Sequence, residues 1–281
     1  MYAIEVLVAV QRDRASNYYK NLSAHKEYSL RLVTDLSDAF DALADRERRV
    51  DVFVLDTSLS EELSELVNDL RFTYPRLLIV LVDEDADFAT PGSADEISTD
   101  PFNNDDLIRR INRLMADRRL ETLRADVMPP VREFAKKLRK ATGEFGKQQA
   151  AVTACREMGY DYVALYRVES IEPPRITLKA QDGPPPLVAA APKQAGLEDI
   201  IGTVAKTGQT RTAGSRDEIN HPFVKRGKFG MVASVAVGVA ARYGVLIACR
   251  ERPESISGND IMLLELVSAQ LAAVISKEGS A

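Results

Sequence analysis

Over its first 115 residues the chain switches repeatedly between two hydrophobic periods. Short apolar runs at Ile4–Val10, Ser29–Thr34, Val52–Leu55, Leu77–Val82 and Glu96–Ile97 read as strands, and the segments between them keep the spacing of amphipathic helices. Alternating strands and helices predict a doubly wound, five-stranded parallel sheet with right-handed crossovers. Asp35 or Ser37 is placed to cap a helix carrying Ala39, Phe40, Leu43 and Ala44. Ser58 or Ser60 is placed to cap one carrying Leu63, Leu66, Val67 and Leu70, which Pro75 ends. The acidic stretch from Asp83 to Gly92 encodes a crossover helix only weakly. Helical period resumes at Leu107, Ile108, Ile111 and Leu114, with Asn103 or Asn104 as the expected cap.

From Asp117 to Arg139 the pattern is charge-dense, with Leu120, Leu123, Val127, Val131, Phe134 and Leu138 on one stripe. Pro129 and Pro130 break it, so one helix is expected to end near Val127 and another to start at Pro130. After Gly143 the order changes to an α+β pattern. A helix Lys147–Met158 precedes strands Tyr160–Val168 and Arg175–Gln181, and a proline-rich loop follows from Gly183 to Pro192. Next come a helix Leu197–Thr207 stopped by Gly208, a strand Arg211–Ala213 and a polar loop from Gly214 to Gly230. Strands Met231–Val239 and Tyr243–Cys249 lead to a final helix Ile261–Ser276, capped by Asn259 or Asp260. The expected division is residues 1–117, a helical linker 118–144, and 145–281.

Composition narrows the classes. The 281 residues suit two domains, and 45% apolar with 28% charged content matches a globular protein. No window approaches 18 uninterrupted apolar residues, and the N-terminus lacks the marks of a signal peptide, so no transmembrane helix and a cytoplasmic protein are expected. A formal charge of −5 argues against a general nucleic-acid surface. Two cysteines, Cys155 and Cys249, and two histidines, His25 and His221, cannot make a zinc quartet; the cysteines read as core thiols.

Asp56 stands out chemically. It closes the apolar run Val50–Asp56 and so delivers a carboxylate to the sheet edge where ligands of open α/β sheets gather. Phosphoryl transfer at that edge would call for an acid pair, a hydroxyl and a lysine, and the chain offers Val10 and Gln11, Val82 and Asp100 instead. An acid at 100 would repel a charged group at 56 by roughly 4 kcal/mol if they stood about 4 Å apart at an effective dielectric near 20. Asp56 also reads as an ordinary hydrated strand-end acid. A further alternative has Asp13, Asp56, Asp83 and Asp100 converging to hold magnesium or calcium.

The run Val54-Leu55-Asp56, then Ile79–Val82, then Thr99-Asp100-Pro101-Phe102 with Leu107 and Ile111, resembles the receiver domain of bacterial response regulators. The resemblance implies a phospho-acceptor at Asp56 with a divalent cation. The replaced positions make this a degenerate, or pseudo-, receiver. The second half, through Tyr160–Val168, Val204-Ala205-Lys206-Thr207-Gly208, His221-Pro222-Phe223, Val232–Val239, Tyr243–Ala248 and Asp260–Ile275, resembles a GAF domain. That implies an antiparallel sheet with a pocket on one side, for which Tyr162, Tyr166, Val235, Val237 and His221 are the candidate lining. The signatures of bilin, haem and cyclic-nucleotide ligands are not matched, so no cofactor is named. The charged loop Arg216–Lys228 reads as a cover for an anionic metabolite or as a solvated loop.

No nucleophile–base pair or glycine-rich phosphate loop is present, and an enzyme is not expected. The expectation is a two-component-type signalling protein that binds protein partners, independent of phosphorylation. The alternatives are a small-molecule sensor through the GAF pocket and an atypical phospho-acceptor using Asp56. A homodimer is the companion expectation, from the apolar stripes of Leu107–Leu138 and Ile261–Ile275.

Overall fold

A computed structural model describes residues 3–45, 48–84, 94–125, 128–214, 223, 227–238 and 241–278. The weakly encoded crossover falls largely on 85–93, outside the described residues. The chain divides into two compact units, Met1–Leu120 and Glu121–Ala281.

In the first unit, β1 (Ile4–Ala9), β2 (Tyr28–Val33), β3 (Val52–Asp56), β4 (Leu78–Val82) and β5 (Glu96–Ser98) pair in parallel in the order β2-β1-β3-β4-β5. Side chains alternate between two buried faces. Val6, Val8, Val52, Val54, Val80 and Val82 pack with Tyr18 and Leu22 of α1 (Ala15–Ser23) and with Leu107, Ile108 and Ile111 of α4 (Asp106–Ala125). Leu7, Ala9, Phe53, Leu55, Ile79 and Leu81 pack with α2 (Leu36–Ala44) and α3 (Leu63–Thr73).

In this unit capping follows the sequence in one place and departs from it in two. Asp35 accepts the Asp38 amide at 2.8 Å and caps α2 as expected. The first residue before α3 is Glu62, and neither Ser58 nor Ser60 caps the helix: Ser60 Oγ takes the Glu62 amide at 3.1 Å, while Ser58 lies in a 3-10 turn, Thr57–Leu59. Neither Asn103 nor Asn104 caps α4, because both lie in a 3-10 turn, Asn103–Asp105, in which Asn104 has φ 49.

In the second unit, α5 (Pro129–Lys140) and α6 (Gly143–Glu157) precede β6 (Tyr162–Ser170) and β7 (Arg175–Asp182). The region read as linker thus supplies α5, whose Val131 packs on Met262 and Leu266 of α9 (Gly258–Glu278). The expected proline-rich loop contains a helix, α7 (Pro185–Ala190), because adjacent prolines suit a first helical turn. Then come β8 (Gln194–Ala195), α8 (Ile200–Thr207), β9 (Arg211–Gly214), β10 (Met231–Val237) and β11 (Gly244–Arg250). Among the described residues the antiparallel sheet has six strands, in the order β8-β7-β6-β11-β10-β9.

The α9 start is a reciprocal box: Ser257 Oγ accepts the Asp260 amide at 3.2 Å, and Asp260 Oδ2 accepts the Ser257 amide at 2.8 Å. Ser257, not Asn259 or Asp260, is therefore the cap. Gly258–Ser276 is long and apolar enough, by length and a mean hydropathy of 1.4, to cross a membrane, a test that core helices also pass. Ile261, Leu264, Val267 and Leu271 are buried within the unit. Val131, Phe134 and Leu138 of the stripe read as a dimer surface are likewise buried in their own unit.

Candidate functional site

The strand order reverses between β1 and β3, and Asp56 ends β3 at that point. Its side chain is 2% exposed, yet both oxygens are engaged. Oδ1 accepts the Ser58 amide at 3.1 Å and the Ser58 hydroxyl at 2.6 Å, and Oδ2 accepts Nη1 of Arg14 at 2.7 Å. The second Nη of Arg14 bonds Glu84. A buried carboxylate needs such a cation, because desolvation without one costs several kcal/mol.

The other expected positions do not join it. Val10 and Val82 are fully buried and apolar, whereas Gln11, Asp13 and Asp100 are exposed. The backbone turn explains this: the Gln11 carbonyl accepts the Arg14 amide at 3.0 Å, so the chain folds back at 11–14. Among the described residues no three of His, Cys, Asp and Glu group as a metal would require, so the four acids do not converge. Arg14 is not among the residues the sequence singles out at the β1 exit; its one signal is indirect, a buried strand-end carboxylate that calls for a base. Next to the pair, Tyr18 lies edge-on to Phe102, centroids 4.8 Å apart. Burial first and the charge of Asp56 second push its phenol up, against the opposing effect of Arg14.

The second unit offers one face of its antiparallel sheet. Cross-strand register sets Tyr162, Cys249, Val232 and Ala213 in one row, and Ala164, Ile247, Ser234 and Arg211 in the next. Tyr166, Val245 and Ala236 form a third. Val235 and Val237, expected beside the tyrosines, alternate onto the opposite side; their partners are Leu246 and Gly244, and neither joins the tyrosine cluster. His221 lies outside the described residues, as does most of the loop expected to cover the face.

Aromatic rings fill the face. Phe223 lies 5.5 Å from the Tyr162 ring and 6.4 Å from that of Tyr166, and Phe229 stacks on Tyr162 at 6.0 Å. Tyr162 donates to Gln181 Oε1 at 2.7 Å, Gln181 Nε2 donates to the Val188 carbonyl at 3.1 Å, and Tyr166 donates to the Pro192 carbonyl at 2.8 Å. These bonds tie α7 and its exit to the sheet.

Within the second unit, residues 148–275 match the family model for the GAF domain. Those residues are a GAF domain. The comparison with curated proteins finds no match. Among solved structures, the GAF domain of an Acinetobacter phosphoenolpyruvate-protein phosphotransferase shares 19% identity, covering 54% of this chain and 93% of that one at a TM-score of 0.46. A free methionine-R-sulfoxide reductase from Neisseria meningitidis shares 16%, over 52% and 86%, also at 0.46. The signal receiver domain of an HD domain-containing protein from Pseudomonas fluorescens shares 20%, over 41% and 96%, at 0.37.

GAF domains are sensor and regulatory modules of signal transduction. In this one, both cysteines are buried, which pushes Cys155 up to about 12 and Cys249 well above the ordinary thiol value, so neither is a ready nucleophile. Two further polar groups lie on the GAF face. Arg211 is 4% exposed, and opposite it the fully buried Ser234 hydroxyl has no hydrogen-bond partner among the described residues. Beside them Gly208, at φ 72, ends α8, and Arg242 donates to the last carbonyls, Lys206 at 2.7 Å and Thr207 at 2.8 Å.

Proposed function

We infer that the chain is a non-catalytic, cytosolic signal-transduction regulator that acts by binding other proteins, with a receiver-like N-terminal unit that works without phosphorylation, coupled to the GAF domain. The observation behind this reading is the neutralised Asp56, whose oxygens are occupied by Arg14 and Ser58. A carboxylate already paired with a guanidinium is a poor nucleophile toward a phosphoryl donor, and its phosphorylated product would find no lysine and no hydroxyl at 100 and 82. Incubation with a small acyl phosphate and Mg²⁺, read by intact mass, is expected to add no phosphoryl group. Stoichiometric phosphorylation that disappears in Asp56→Ala would replace this reading with that of an atypical phospho-acceptor. Partner capture from host extract is expected to survive Asp56→Asn.

A second reading, a small-molecule sensor, is favoured by one observation: Arg211 and the unsatisfied Ser234 hydroxyl share the GAF face, a combination that suits an anionic ligand. Native mass spectrometry of host-purified protein, followed by acid release, tests it. A stoichiometric anion would establish the sensor, and an apo mass would leave the partner-binding reading standing.

A further inference from the structure

Three side chains meet at the Asp56 edge from three segments. Arg14 comes from the turn after β1, Asp56 from the end of β3 and Glu84 from the turn after β4. One guanidinium thus faces two carboxylates, the arrangement a hard divalent cation takes when it bridges two acids. Val10 and Val82 contribute no side-chain oxygen, and Asp13 is exposed.

We propose that Arg14 is a tethered counter-ion that occupies the place of a divalent metal at Asp56 and keeps metal out. The inference rests on the phosphorylation-independent reading and supplies its cause. Phosphoryl chemistry needs a cation free to offset the incoming charge, and here the cation is part of the chain and already paired. A guanidinium remains charged across the physiological range and cannot dissociate, so the edge stays in one charge state whatever the metal or phosphate supply. Its planar fork also reaches two acids at once, a geometry that a lysine ammonium reproduces only as a point charge.

The test uses the full chain with Mn²⁺ as probe, free metal being read by electron paramagnetic resonance and stability by thermal unfolding. Wild type is expected to leave Mn²⁺ free and to keep its midpoint on metal addition. Arg14→Ala is expected to unfold several degrees lower, to bind Mn²⁺ stoichiometrically and to recover most of the lost stability, with all three changes depending on Asp56. If Arg14→Ala does not fold, Arg14→Gln, which keeps length and hydrogen bonding without charge, carries the same readout. Adding Asp56→Asn to either variant is expected to abolish Mn²⁺ binding. Asp56-dependent Mn²⁺ binding by wild type would overturn the proposal. So would Arg14 variants that lose stability yet ignore Mn²⁺, since they would show a structural ion pair and nothing more. Because occupancy is measured and not phosphorylation, a wild type that takes phosphate while refusing Mn²⁺ would sink the functional reading and spare this one.

Discussion

Each unit sinks a polar group into an otherwise apolar surface, and the two groups are treated oppositely. Asp56, a charge, is answered on both oxygens from within its own unit. Ser234, a neutral hydroxyl on the GAF face, is buried as completely and has no hydrogen-bond partner among the described residues. The difference follows the cost of burial. An unanswered carboxylate costs several kcal/mol, too much for a marginally stable fold, whereas an unanswered hydroxyl costs about 1–3 kcal/mol and can persist. The closed edge therefore reads as a fixed structural element, whereas the buried hydroxyl is a polar group whose cost the fold can carry.

The largest effect comes from breaking the closed site. Arg14→Ala is expected to cost about 3–5 kcal/mol by stranding a buried charge, and Asp56→Asn about 1–3 kcal/mol. The double variant should lose less than the sum, as a double-mutant cycle in urea unfolding would show. Equal, additive losses would mean that the pair is not coupled. On the GAF face, Tyr162→Ala should cost about 3–5 kcal/mol by opening the aromatic cluster. Tyr162→Phe should cost only about 1–2 kcal/mol through the orphaned Gln181 Oε1. If the alanine variant gains affinity for small anions, the rings are what keeps anions off this face.

Gly208→Ala is expected to lose about 1–2 kcal/mol for its left-handed backbone, φ 72, and more because the new methyl meets the Arg242 guanidinium at 2.8 Å. In an Arg242→Ala background only the backbone part should remain, a difference thermal unfolding can read. Acid pH sharpens the contrast more gently. Burial raises the carboxyls of Asp106 and Asp260, but hydrogen bonds and charge from Arg110 and Ser98, and from Ser257 and Arg250, outweigh it and hold both below the ordinary value. Their contribution is therefore present above the unfolded value of about 3.9 and is lost as pH falls through the lower folded values. Asp260→Asn should flatten that acid limb in a pH series of midpoints. Smallest in loss, Ser234→Ala should cost no stability and gain up to about 1–3 kcal/mol, since no bond is lost and a buried hydroxyl without a partner among the described residues is removed. A large loss would reveal a partner for the hydroxyl and remove the contrast between the two sites.

Much of the architecture was legible before any coordinates. Buried parallel strands are continuous apolar runs, so Val52–Asp56 and Leu78–Val82 could be placed to within a residue, with Asp56 at an edge. What stayed hidden was phase and partnership. Alternation pairs Val235 with Val237 and Val232 with Ser234, but both sets are buried on some side, so periodicity could not say which faces the tyrosines. Caps were misplaced where a neighbouring Ser or Asn competed for the same role, as at Ser257 and Asn104.

By itself, the order of hydrophobic periods determined two units of different topology, because local spacing alone decides whether a segment buries one stripe or alternate residues. It also determined that no metal–hydroxyl–lysine set stands at positions 10, 11, 82 and 100, since side-chain chemistry is written in the residues. Only the tertiary structure decided that Arg14 turns back onto Asp56 across 42 positions of chain, and that Phe223 and Phe229 close over Tyr162. Those pairings depend on desolvation, and how far a group is removed from water is a property of the assembled fold, not of its neighbours in sequence.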